Sequence, residues 1–143
     1  MKYFSNRTFV LFMVSVLVLS GCAAIRKVTY PPNFTYLEKK TVTSSMHQLA
    51  VSIEKLDSVL REIGSNISAS EQERVISQLN TMESIADNLG AGTQTTNHLL
   101  LDEHIDQFKS DVITARRSAE AEPPNFYLVG RLSGSCTGCH VLR

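Results

Sequence analysis

Cys136-Thr137-Gly138-Cys139-His140 is the run in this 143-residue chain whose residue types and spacing point to a specific chemistry. Two cysteines three positions apart share one helix face, and a histidine follows directly. This C-x-x-C-H spacing matches the signature for covalent attachment of c-type haem. In that chemistry Cys136 and Cys139 form thioethers with the two vinyl groups, and His140 turns its imidazole under the iron. Thr137 and Gly138 are small and let a porphyrin edge approach. Two other chemistries use the same residue types. A redox disulfide uses C-x-x-C, but normally at the opening of a helix in an α/β fold. A zinc site wants a fourth ligand and usually a second ligand pair. His47, His98 and His104 are available for that, and none is suitably paired.

The remaining cysteine, Cys22, closes an N-terminal segment of a different kind. Lys2 and Arg7 precede an apolar run, Phe9 to Leu19. Eleven residues fall short of the about 20 needed to span a bilayer. A positive head, a short apolar stretch and small residues make a secretory signal peptide. The run ends Leu19-Ser20-Gly21-Cys22, which resembles the bacterial lipobox, so Cys22 is expected to take a lipid as the first mature residue. The rival is an ordinary signal cleaved near Ala24. Ala23 stands where an Asp would suggest inner-membrane retention, so that resemblance favours the outer membrane, on its periplasmic side. Residues 1–21 are therefore read as signal peptide, 22–34 as a lipidated tether stopped by Pro31-Pro32, and 35–143 as the domain. Export fits haem attachment, which takes place outside the cytoplasm.

The domain must position those cysteines, and its pattern is helical. Helix A is expected over 35–63, with the seam Met46, Leu49, Ile53, Leu56, Leu60, Ile63 and a stop at Gly64. Helix B is expected to open on a capping box at Ser70-Glu71-Gln72-Glu73, with the seam Val75, Leu79, Met82, Ala86, Leu89 and an end at Gly90. Helix C starts near Asn97, with the seam His98, Leu101, Ile105, Phe108, Val112, Ala115, Ala119. Helix D opens at Pro123-Pro124 and runs to about 141, weakened by Gly130 and Gly134. Short links make this an all-α, antiparallel up-down-up-down four-helix bundle. The end of D and the starts of A and C then share one end, which would hold the haem and the C-terminal residues.

Composition agrees with a packed domain: 43% hydrophobic residues and balanced charge, 14 basic against 14 acidic. Removing Lys2 and Arg7 with the signal leaves 12 basic residues against 14 acidic, a formal charge of −2. That balance excludes a dedicated nucleic-acid binder, which carries a basic excess.

A four-helix bundle with C-x-x-C-H in its last turns resembles the class II c-type cytochromes, the cytochrome c′ superfamily. Met46-His47-Gln48-Leu49 and Leu79-Asn80-Thr81-Met82 also look like the related periplasmic b-type four-helix cytochrome. The likeness covers 35–143 and implies one covalent haem c. Two positions depart from the pattern. Class II proteins often carry Arg four residues after the haem His, whereas Arg143 stands three after His140. They often carry a basic residue four before the distal position, where this chain has Val42. The resemblance also implies membership of a group that often dimerises, so a homodimer is a possible assembly.

Family members divide over the sixth iron ligand. Some bind a helix A Met and transfer electrons; others leave the site open and bind NO or CO. Met46 is the candidate, on the seam of helix A at the haem end. A thioether opposite an imidazole gives a raised potential. Met in a seam can also merely fill core, which is the reading for Met82. His98 is the rival ligand, or else it touches the haem edge or caps its helix. His47, about 100° from Met46 around the helix, is expected exposed, and His104 solvated. Arg131 and Arg143 could pair with propionates. Tyr127 is expected in the core. The resulting expectation is an electron carrier and not an enzyme, exchanging single electrons with unidentified redox partner proteins. A five-coordinate gas-binding protein is the alternative. A peroxidase-like enzyme needs a distal acid–base group that helix A does not offer.

Overall fold

The computed structural model describes residues 33–64, 67–92 and 95–140, the side chain of Cys139 excepted. Cys22, Arg143, the expected signal peptide and all but the last two residues of the expected tether, 22–34, lie outside these residues. The chain divides into Met1–Phe34 and Thr35–Arg143. The second unit is mostly helical, an all-α domain. Its elements are β1 (Phe34–Thr35), α1 (Lys39–Glu62), α2 (Ala69–Asn88), β2 (Thr95–Thr96) and α3 (Leu99–Glu120). A single 3-10 turn at Val129–Arg131 follows, then α4 (Leu132–Ser135) and α5 (Thr137–His140). The two-residue strands pair with each other. No helix among the described residues is long and apolar enough to cross a membrane.

Helix α3 follows its expected seam from Leu101 onward, while His98, the first expected seam residue, stands before the helix as its N-cap. Leu101, Ile105, Phe108, Val112, Ala115 and Ala119 are all buried. Helix α2 does the same with Val75, Leu79, Met82 and Ala86, and adds Ile85. These two helices pack along each other, and α1 packs on α2. Apolar residues at 3.6-residue spacing leave water together here, which is the main favourable term in folding. Arg116 reinforces the α2–α3 pair, bonding Glu83 at 3.3 Å and Glu120 at 2.7 Å. Lys109 of α3 also pairs with Asp87 of α2.

Helix α1 departs slightly from its expected phase. Leu49 and Leu56 are buried as read, but Ser52 and Val59 share the buried stripe with them. Met46, Ile53, Leu60 and Ile63 pack against the core from its flank, half-buried. The stripe has turned by part of a residue because α1 contacts both α2 and the 3-10 turn. Leu60 reaches under that turn: a Cβ on Gly130 would lie 3.7 Å from its Cδ1.

The cap of α2 is also displaced. Ser68, not Ser70, is the N-cap, and Glu71 is its partner. Ser68 Oγ accepts from the Glu71 N–H at 3.3 Å, and Glu71 Oε2 accepts from the Ser68 N–H at 2.7 Å. The Ser68 hydroxyl also donates to Glu71 Oε2 at 2.6 Å, and this bond, with that from the Ser68 N–H, holds the Glu71 carboxyl below its ordinary value. Two S-x-x-E boxes overlap in this stretch. The earlier one prevails because it lengthens the helix while still satisfying its first donors.

Helix α2 ends as expected at Gly90, in a Schellman motif. The Ala91 N–H donates to the Ala86 carbonyl and the Gly90 N–H to the Asp87 carbonyl, both at 3.1 Å. Gly90 has φ +97°, and a Cβ there would approach Thr96 Cγ2 to 2.9 Å. Gly90→Ala is therefore expected to destabilise the fold by about 1–3 kcal/mol through strain and that contact. Gly134 has open space around it and no positive φ, so Gly134→Ala serves as the control. Thermal denaturation followed by circular dichroism compares them. Equal midpoints for the two variants would remove the strain argument.

The fourth long helix expected over 123–141 does not form. In its place stand the 3-10 turn, α4 and α5. The segment after α3 folds back instead of starting a rod. The Asn125 N–H donates to the Ser118 carbonyl at 3.0 Å, and Ser118 Oγ donates to the Asn125 carbonyl at 2.8 Å. Asn125 Oδ1 then accepts from the Tyr127 N–H at 2.9 Å, a side-chain turn that competes with helix. Gly130 and Gly134 lower propensity further along. Val129 and Leu132 are nevertheless buried and anchor the segment.

Candidate functional site

The C-x-x-C-H run spans the junction of the two short helices. Cys136 is the C-cap of α4, and Cys139 and His140 lie in α5. Ser135 Oγ donates to Asp111 Oδ2 at 2.7 Å, which ties the junction to α3. Thr137 Oγ1 donates to the Gly134 carbonyl at 2.7 Å and closes the turn. Cys136 is a free, half-buried thiol. Burial pushes that thiol above its ordinary value, so it stays protonated at neutral pH.

His140, exposed at the end of α5, faces a cleft of about 460 Å³. Val42 and Met46 of α1 line the same cleft, one helical turn apart. Asn97, His98 and the first residues of α3, Leu99 to Leu101, complete it. Other surface clefts of the domain are larger, so it is the residue types of this one that set it apart. Leu101 is buried, while Leu99 and Leu100 are 82% and 50% exposed.

His98 is the N-cap residue of α3, but its side chain makes no capping bond. Its Nε2 lies 3.1 Å from the Leu37 carbonyl. A carbonyl oxygen only accepts, so Nε2 carries the hydrogen. The helix start is satisfied another way: Thr96 Oγ1 accepts from the His98 N–H at 3.0 Å and donates to Asp102 Oδ1 at 2.6 Å.

Of the expected site residues, the structure brings Met46, His98 and His140 to one cleft. Met82 lies fully buried in the core, as read, and His47 is exposed, as read. His104 departs from its solvated reading. Its ring is half-buried, and a Cβ on Gly138 would sit 3.7 Å from its Nδ1. His104 Nε2 is buried without a hydrogen-bond partner among the described residues. The carboxylate of Glu103, at 3.9 Å, is beyond hydrogen-bond reach. Tyr127 also departs, being 65% exposed rather than core. Arg131 stacks over its ring at 5.7 Å and donates to its hydroxyl at 3.1 Å. Among the described residues, no group of three His, Cys, Asp or Glu side chains is gathered as for a metal ion.

Sequence reasoning missed Asn97, Leu99, Leu100 and the His104–Gly138 contact. The Leu99-Leu100-Leu101 run was a usable signal, because only Leu101 sits on the helix seam. The chain matches no family model, no curated protein and no solved structure.

Proposed function

We propose that this chain is an extracytoplasmic, lipid-anchored monohaem c-type cytochrome that carries single electrons. The observation that carries the reading is the shared cleft: the histidine of C-x-x-C-H and a methionine from a distant helix line one apolar space. The donor set fits the group. Cys136 and Cys139 supply two thiols, His140 an imidazole, and Met46 a thioether. When bound, haem supplies reversible one-electron exchange at an iron whose potential a Met/His pair raises. Val42 and Leu101 give that space apolar walls, and Leu99 and Leu100 stand at its rim. The topology proposed is the up-down-up-down four-helix bundle of the class II cytochromes, its last rod replaced by short helical pieces. Lipid on Cys22 would hold the domain at the periplasmic side of a bacterial membrane, the outer one favoured. Redox partner proteins would meet it there.

The test is an absorption spectrum of protein matured in a periplasm competent for c-type haem. It is recorded oxidised, reduced, and reduced under carbon monoxide. Low-spin bands unmoved by the gas are expected, meaning two protein ligands on the iron. High-spin bands that shift with the gas would replace the carrier by the gas-binding reading. Protein without haem would remove both.

A further inference from the structure

We propose that Asn97 and His98 form a clamp on Leu37 that fixes the first turns of α1 across the cleft, and so positions Met46. The inference rests on the reading of Met46 and His140 as groups flanking one iron, but the clamp itself is described by hydrogen bonds.

Leu37 stands just before α1 and is 6% exposed. Its N–H donates to Asn97 Oδ1 at 2.7 Å. Its carbonyl accepts from Asn97 Nδ2 and from His98 Nε2, both at 3.1 Å. One residue is thus held through both backbone polar groups by two adjacent side chains 60 and 61 positions away. The holding residues are themselves braced. Asp102 accepts from the Thr96 N–H at 2.9 Å and from the Thr96 hydroxyl at 2.6 Å, and that hydroxyl takes the His98 N–H. The clamp therefore ends on α3, which packs tightly in the core.

Asn97 and His98 also line the cleft. Met46 projects from α1 nine residues past Leu37 and packs on the flank of the core, half-buried. Core packing alone does not hold it as it holds Met82. Fixing the start of α1 to the start of α3 restricts the slide and swing of the helix that carries Met46. Metal-binding groups depend on such outer partners for their orientation. His98 in this arrangement is a positioning residue: its Nε2–H belongs to Leu37, and it acts on the iron through α1.

Four variants in the full chain, matured as above, test this: Asn97→Ala, Asn97→Asp, His98→Ala and His98→Gln. Asp keeps the acceptor for the Leu37 N–H. Gln keeps a donor for the Leu37 carbonyl but is no substitute for an imidazole on iron. Two readouts are taken: the spin state with carbon monoxide binding, and amide hydrogen exchange followed by mass spectrometry. Both Ala variants are expected to show a high-spin, gas-binding fraction and at least tenfold faster exchange from Leu37 to Met46. Exchange across Val75 to Leu89 stays at its original rate. His98→Gln recovers most of both properties, and Asn97→Asp recovers less, because its second oxygen is an acceptor facing the Leu37 carbonyl.

Three results would overturn the clamp. His98→Gln as damaging to the spectrum as His98→Ala would make His98 a ligand. Unchanged exchange at Leu37 in the Ala variants would mean the bonds hold nothing. Equal acceleration in every helix would mean a general structural role. If the parent protein carries no haem, the functional reading falls, and the exchange arm alone decides the clamp.

Discussion

Protein with Cys136→Ser and Cys139→Ser together is expected to keep no haem after denaturation in acidified organic solvent, where the parent keeps all of it. A thiol adds across a vinyl group: a sulfur–carbon bond forms, the π bond breaks, and the thiol hydrogen ends on the neighbouring carbon. A serine hydroxyl is close in shape but does not form that link. The loss is therefore complete rather than graded, and haem-stained denaturing gels read it directly. Each single variant retains one link and stays stained. The fold should tolerate the exchange. Cys136 is half-buried, and a hydroxyl in place of its sulfur falls among the mild substitutions, at about 1 kcal/mol. Circular dichroism of the double variant separates lost attachment from lost structure. Haem still covalently held in that variant would show attachment elsewhere and end the assignment of the motif.

The second large effect belongs to Met46. Met46→Leu is expected to turn a low-spin iron closed to carbon monoxide into one that binds the gas in every molecule. Leucine keeps the apolar volume and removes the sulfur lone pair, so packing changes by less than about 1.5 kcal/mol. Met46→Ala tests the same ligand with an added cavity, and agreement between the two variants isolates the sulfur. Met82→Leu is the matched control, since Met82 is fully buried in the core and off the cleft. A parent-like spectrum in Met46→Leu would remove Met46 from the iron. Conversion by Met82→Leu as well would point to general loosening instead.

How much of this was legible in the sequence depended on how local each cause was. The α3 stripe from Leu101 to Ala119 was readable because one helix packing on a broad apolar layer obeys a single period. The C-x-x-C-H run could be singled out for a similar reason, being five consecutive residues, but its place at a break between two short helices could not. The phase of α1 was less so, because two neighbours pull its buried face toward Ser52 and Val59. The last helix failed for a specific reason. Its Pro-Pro start looked like a first turn, but Asn125 and Ser118 bonded each other and turned the chain back. The far wall of the cleft was least legible. Its bonds from Leu37 to Asn97 cross 60 residues, and no sequence period encodes such a pairing.

The break between α4 and α5 also bears on timing. A long rod is released only when many of its bonds unwind in concert. Two four-residue pieces, held by Val129, Leu132 and the Ser135–Asp111 bond, make a small opening unit that lifts off at lower free energy than the rest. The interruption would let the segment that carries Cys136 and His140 open while α1, α2 and α3 stay packed.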